Sequence, residues 1–341
     1  MGIQNRFNDF HNRIKLSRMD ESYKKAREKD DSITEEIIKA FKEKGYEVKT
    51  NFLQGSLSTD TAVIHEEKDF DIDRAIIITK DSSPDDPVEP KLVIYDILGN
   101  RGFKNHKVKT PCVTADYVAE NLHIDFMVYR ESYGSYELAV GKTHSNEENK
   151  IWSSSDPIGL KDWIKDNSSY GNSADKKQQQ FNRIVRYLKR WRDHQFSHNV
   201  SRKIFSIGLT VMAKQTFFPV FNDEGFPSDL EALKNCVTNM LAYNYFTSQG
   251  EGKYSVSVML PKSSYRDIFH GSSNDTGTQF KNKLETLKTK LNDALSETDE
   301  IEQCKILNKL FGDDFEIPES TAKAARTAFA TAGSVGTSQG A

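Results

Sequence analysis

The sequence has no run approaching the roughly 20 apolar residues that a membrane helix needs, and its opening stretch, Met1 to Arg13, is polar and charged, unlike a secretory signal. Cysteine is scarce. Cys112, Cys236 and Cys304 are odd in number and far apart, so no disulfide framework or zinc cluster can be assembled from them, and a reducing compartment is expected. Neither sign of charge dominates: 47 Lys and Arg against 50 Asp and Glu leave a net charge of −3, which argues against a nucleic-acid coat or a membrane-surface protein. Internal repeats at solenoid periods are missing too. The expected setting is cytoplasmic, with no membrane association and no strong nucleic-acid binding. What is present is core material. Aromatics (3 Trp, 13 Tyr, 20 Phe) are too many for a disordered chain, and 341 residues allow about two lobes at roughly 150 residues each.

Patterning divides the chain. Residues 1–44 read as helix, with Ser32 and Glu35 as a capping box, Ile33, Ile37, Ile38 and Phe41 on one stripe, and Gly45 as the stop. A β-rich stretch follows: 46–53 enters it, 70–79 is a strand, and 110–118 with 122–130 form a hairpin around Ala119-Glu120-Asn121. Residues 81–90 hold three prolines and four acids and read as a surface loop. From about residue 158 the pattern turns helical. Phe181, Ile184, Leu188 and Trp191 make an apolar stripe, with Arg183, Arg186 and Arg190 expected as a solvated face opposite. Further helices are expected over 204–218, 280–295 and 300–311. Residues 321–341, rich in Ala, Gly, Ser and Thr, read as a flexible tail. This gives a first lobe over 1–155, a helical lobe over 156–320 and a tail over 321–341.

Three features of the first lobe carry chemistry together. Gly55-Ser56 stands at a strand end, where glycine lets backbone approach a phosphate and a helix start offers amides and a hydroxyl to hold it. In Phe70-Asp71-Ile72-Asp73 the two acids, two apart on a strand, share one face; like charges so placed repel unless a cation joins them. Asp125 is an acid inside the apolar run Leu122 to Phe126, a costly place for an unpaired carboxylate. Each alone is an ordinary residue. The three carboxylates together can hold two Mg²⁺ ions about 4 Å apart, the arrangement that clamps a transferring phosphoryl or nucleotidyl group. Asp69 shares the parity of Asp71 and Asp73, but Phe70 places a hydrophobic residue before Asp71, which favours the later pair. His194 and His198 have a zinc-compatible helical spacing but no cysteine nearby, and a plain helix end is the better reading.

The order Gly-Ser, Asp-x-Asp, lone strand Asp resembles the polymerase-β-like nucleotidyltransferases. The finer pattern resembles the bacterial cGAS/DncV-like nucleotidyltransferases of anti-phage signalling: the opening motif Gln54-Gly55-Ser56-Leu57-Ser58-Thr59-Asp60-Thr61-Ala62-Val63, the metal motif Phe70 to Ile76, the junction from Trp152 to Ile164, the helical-lobe segments Tyr187 to Asp193 and Phe205 to Thr210, and the closing segment Lys305 to Phe315. One departure is Asp60, where such enzymes often carry glycine.

The resemblance implies an α+β, two-lobed fold, a mixed-sheet catalytic lobe with N-terminal helices joined to a C-terminal helical nucleotide-binding lobe. It also implies an enzyme that joins nucleoside triphosphates (ATP, with GTP or pyrimidine nucleotides as further candidates) into a cyclic oligonucleotide second messenger, releasing pyrophosphate. The alternatives are a linear oligonucleotide synthase, a single-transfer nucleotidylating enzyme or, less favoured, an inactive nucleotide-binding regulator. On this resemblance Asp71, Asp73 and Asp125 are the catalytic metal ligands for two Mg²⁺, with Mn²⁺ able to substitute. Gln54, Gly55, Ser56, Lys189 and Ser206 bind the donor nucleotide. The tail, ending Gly340-Ala341, resembles a substrate of ubiquitin-like conjugation enzymes.

Overall fold

The computed structural model describes residues 2–64 and 70–319; Asp69 and the tail 321–341 lie outside the described residues. The amino-terminal helical stretch is two helices, α1 (Ile3–Ile14) and α2 (Glu21–Glu43). The Ser32/Glu35 pair is therefore not a cap: α2 runs through it, and the Ser32 hydroxyl accepts from Arg101 at 2.9 Å. Strand β1 (Val48–Leu53) leads into the single turn α3 (Gly55–Ser58), and β2 (Phe70–Thr79) follows. The 81–90 loop is shorter than its prolines imply. Helix α4 (Val88–Asn100) starts within it, with Pro90 in the first turn, where a missing N–H costs no helical hydrogen bond. Then come β3 (Lys107–Val108), β4 (Val113–Tyr117), β5 (Leu122–Ser132), β6 (Ser135–Val140) and β7 (Ile151–Ser155). The expected hairpin around Ala119 to Asn121 is β4 and β5, with Asn121 left-handed at φ 49°.

The sheet is mixed, in the order β1-β2-β5-β4-β3, with β6 joining β5 to β7; β2 and β5 are parallel and the other pairs antiparallel. Strand alternation sorts its faces. Ile72, Ile76, Ile78, Ile124, Phe126 and Val128 pack with Ile33, Ile37 and Phe41 of α2 and Ile94 and Leu98 of α4 in one core. Arg74, on that face, is buried against Asp30 and held by Asn51 at 2.9 Å. The opposite face carries Asp71, Asp73 and Asp125 at one end and, further along, Ala75, Ile77, Met127 and Tyr129 in a smaller cluster with Cys112 and Leu138.

Helices α5 (Pro157–Lys165), α6 (Ala174–Gln195), α7 (His198–Ser201), α8 (Ser206–Thr216) and α9 (Asp229–Ala242) come next. The two-stranded β8 (Phe246–Ser248) and β9 (Tyr254–Val256) lead to α10 (Asn274–Ser296) and α11 (Glu300–Phe311). The apolar stripe of α6 is the centre of a second core with α8 to α11. Helix α1, which the sequence groups with residues 1–155, belongs to this second core: Phe10 stacks on Tyr187 at 5.2 Å, and Phe7, Phe10 and Ile14 have no exposed surface. Each such buried Phe contributes about 1.5–3 kcal/mol. The fold is thus α+β, a mixed sheet with flanking helices joined to a helical bundle.

Candidate active site

Parallel pairing of β2 with β5 puts Asp73 directly beside Asp125 and Asp71 beside His123. Two carboxylates in direct register, with a third one pleat away, raise each other's cost of ionisation. The Asp73 carboxyl is accordingly pushed up to about 7, by burial first and then by the charges of Asp71 and Asp125. The other two acids have local partners. Asp71 lies 3.3 Å from His123 Nδ1, and His123 Nε2 lies 3.3 Å from Asp116; the Asp71 hydrogen bond raises the His123 pKa. Asp125 accepts from the Thr114 hydroxyl and lies 3.5 Å from Lys109 Nζ.

The Gly55-Ser56 turn is pressed onto this cluster. The Gln54 amide donates to the Asp73 carbonyl at 2.9 Å, and a Cβ on Gly55 would lie 2.0 Å from Asp73 Oδ2. Gly55 also takes φ 64°, so glycine is demanded twice over. The Tyr129 hydroxyl donates to Gln54 Oε1 at 3.1 Å and fixes that side chain. Beyond α3, Asp60 takes φ 54°. That left-handed conformation explains why glycine would suit the position, and aspartate is among the residues that tolerate it. Its carboxylate pairs with Arg18 at 2.9 Å and Lys165 at 3.2 Å.

The helical bundle supplies the facing wall. Lys189, only 3 % exposed, donates from Nζ to the Thr61 carbonyl at 2.9 Å and hydroxyl at 3.3 Å. Burial, then the charges of Arg192 and Arg186, lower its pKa to about 7. The Ser206 hydroxyl, in the first turn of α8, accepts from Arg192 Nη1 at 2.8 Å, which leaves its own proton to donate elsewhere. Between the walls is a cleft of about 1070 Å³. Gln54, Gly55, Ser56, Asp71, Asp73, Lys189 and Ser206 all line it, whereas Asp125 stands next to Asp73 but does not.

Sequence reasoning missed several lining residues. Arg192 stands three residues after Lys189, so helical periodicity puts it on the same side as a recognised candidate and could have found it. Lys262, Arg266 and His270 arrive on an irregular segment with no periodic signal. The solvated-face reading of α6 is also corrected. Arg183 forms a two-pronged pair with buried Asp229 (2.7 and 2.8 Å), and Arg186 and Arg190 are 5 % and 2 % exposed, because that side of α6 is covered by the first lobe.

The donor chemistry suits a hard divalent cation: carboxylate oxygens, mutually repelling, beside a turn that leaves no room for a Cβ. As the side chains lie, however, among the described residues no three of His, Cys, Asp and Glu converge closely enough to form a metal-holding group. Asp71 is turned to His123 and Asp125 to Thr114. Among the described residues, no helix is long and apolar enough to cross a membrane.

Residues 1–167 match the family model of the Second Messenger Oligonucleotide or Dinucleotide Synthetase domain. No curated protein matches the chain. Solved structures do. CdnG of Bradyrhizobium diazoefficiens, determined with GTP, is 14 % identical with a TM-score of 0.68 over 92 % of this chain and 97 % of its own. CdnC of E. coli MS115-1, determined with ATP, is 15 % identical with a TM-score of 0.63 over 92 % and 98 %. The Vibrio cholerae cyclic AMP-GMP synthase DncV, determined with the linear intermediate pppA(3′,5′)pG, is 19 % identical with a TM-score of 0.57 over 79 % and 70 %. The domain match and the shared fold agree with the motifs: residues 1–167 belong to the Second Messenger Oligonucleotide or Dinucleotide Synthetase domain family, and the chain as a whole shares the fold of CdnG, CdnC and DncV.

Proposed function

We propose that this chain joins nucleoside triphosphates into a cyclic oligonucleotide second messenger for anti-phage signalling, releasing pyrophosphate at each bond. The observation that carries this reading is the register of Asp73 with Asp125, under a Gly55-Ser56 turn that fits only without a Cβ, in a cleft of about 1070 Å³. The nucleotides named with the similar structures, GTP, ATP and a linear dinucleotide intermediate, support triphosphates as substrates.

In this reading residues 1–155 are the catalytic lobe, with α1 packed into the second core, and 156–320 the nucleotide-binding lobe. Asp71 and Asp73 hold one Mg²⁺ and, with Asp125, a second, with Mn²⁺ able to replace either. Bound there, the ions neutralise phosphate charge and lower the pKa of the attacking ribose hydroxyl. Ser56 and the amides at the start of α3 hold the donor's β- and γ-phosphates from one side. Lys189 and the Ser206 hydroxyl, its acceptor side taken by Arg192, hold the triphosphate from the other. Cyclisation has the linear intermediate rebind so that its own hydroxyl attacks.

Incubation with all four labelled triphosphates and Mg²⁺ or Mn²⁺, followed by phosphatase, tests the proposal. The expected product resists phosphatase because a ring has no terminal phosphate. A phosphatase-sensitive oligomer would establish a linear synthase instead, and label transferred to protein or to another acceptor would establish a single-transfer enzyme.

A further inference from the structure

Three cations on one face of α6 hold a single stretch of backbone in the other lobe. Arg186 Nε donates to the Ala62 carbonyl at 3.0 Å and Nη2 to the Asp60 carbonyl. Lys189 Nζ donates to the Thr61 carbonyl at 2.9 Å, and Arg190 Nη2 donates to the Ile64 carbonyl at 2.6 Å. Positions 186, 189 and 190 are neighbours on a helix surface, so one helical face reads a run of carbonyls over 60–64. All three side chains are nearly sealed from solvent, at 5 %, 3 % and 2 % exposure.

Arg190 Nη2 also pairs with Asp314 at 3.1 Å, whereas Arg186 is buried mainly against carbonyl dipoles, an expensive way to glue two lobes, since an apolar face would do so without desolvating charge. What cations supply in addition is direction: each N–H fixes where one carbonyl points. The held segment has a shape to be fixed, because Asp60 is left-handed, a conformation that costs a non-glycine residue about 1 kcal/mol or more. It is also tied to the phosphate turn, with the Thr61 amide donating to the Ser56 carbonyl at 2.9 Å and the Thr59 hydroxyl donating to the Gly55 carbonyl at 3.2 Å. The third arm of Arg186, Nη1, lies 3.2 Å from Nε2 of His11 on α1. Burial and the neighbouring arginines push that imidazole down to about 3, so it is neutral and able to accept.

We propose that Arg186 and Arg190 are positioning residues. They lock the 60–64 backbone to α6, and through the Thr61–Ser56 hydrogen bond they set the place of the Gly55-Ser56 turn relative to Lys189 and Ser206 across the cleft. The proposal deepens the reading of the cleft as a triphosphate site and rests on it.

The test compares wild type with Arg186→Met, Arg186→Lys and Arg190→Lys in the full chain. Three readouts are used: hydrogen exchange of the amides over 56–64, calorimetric binding of non-hydrolysable ATP and GTP analogues with Mg²⁺, and steady-state pyrophosphate release. Arg186→Met should expose the Thr61 amide to faster exchange and weaken analogue binding about tenfold or more. KM should rise in parallel while kcat at saturation stays within about threefold, because the lost contact serves ground state and transition state alike. Arg186→Lys should fall between, since one ammonium can take over only part of the guanidinium's contacts, and its result decides the matter if Arg186→Met does not fold. Wild-type exchange and binding in the Arg186 variants would overturn the proposal, as would a loss confined to kcat. A wild type that binds the analogues but makes no product would defeat the parent reading alone, with exchange and binding in the variants still deciding the positioning role.

Discussion

Asp73 is the residue on which sequence, geometry and charge converge. Its carboxyl titrates near 7 in the folded protein against an ordinary 3.8, so between those values the folded chain holds a proton that the unfolded chain has released. Its contribution to stability therefore falls as pH rises from about 4 through 7. Asp73→Asn removes the repulsion with Asp71 and Asp125. Without metal, the variant should melt above wild type at pH 7 and higher, by roughly 1–2 °C for each kcal/mol relieved, and level with it near pH 4. Scanning calorimetry across that range with a chelator present makes the check; a variant that melts below wild type at pH 8 would mean that the ionised carboxylate has a stabilising partner. The pairing of Asp71 with Asp73 was legible because strand parity is local. The engagement of Asp71 with His123 and of Asp125 with Thr114 was not, since it depends on which strands become neighbours.

At the scale of elements, legibility follows the same division. Strand β2 and helix α11 match their expected limits because each carries a complete period within itself. The Ser32/Glu35 motif misled because a capping box is only a local preference, and the stripe of α2 continues upstream through Tyr23, Ala26 and Asp30. Helix α4 was hidden by prolines that its first turn tolerates. The buried arginines of α6 were hidden because the surface covering them, the carbonyls of 60–64, lies more than a hundred residues away in the chain. The β1–α3–β2 junction gives an element-scale prediction. Gly55→Ala puts a Cβ 2.0 Å from Asp73 Oδ2 and forces φ 64° on alanine. Stability should fall by about 1–2 kcal/mol from the backbone conformation alone, and product formation should be lost as the turn lifts from the carboxylates. Denaturant melts and the product assay check this; wild-type stability and turnover would show that the turn has room to spare.

For the whole molecule, the two-lobed α+β arrangement was readable from the change of period near residue 158 and from motifs spread across both lobes. The placing of α1 was not. An amphipathic helix announces that it will be buried, and only the assembled bundle shows that Phe7, Phe10 and Ile14 join the core around Tyr187 and Phe311. That helix packs in the second core, and the α6 cations hold the 60–64 backbone of the first lobe beside the cleft. The central claim, that carboxylates at the floor of this cleft drive nucleotidyl transfer, is tested most directly by pyrophosphate release from labelled triphosphates with Mg²⁺. Wild type is compared with the double variant Asp71→Asn, Asp73→Asn, its fold verified by circular dichroism, and Asp69→Asn serves as the register control. The account predicts release by wild type and by Asp69→Asn, and none above background from the folded double variant; wild-type turnover in the double variant would contradict it.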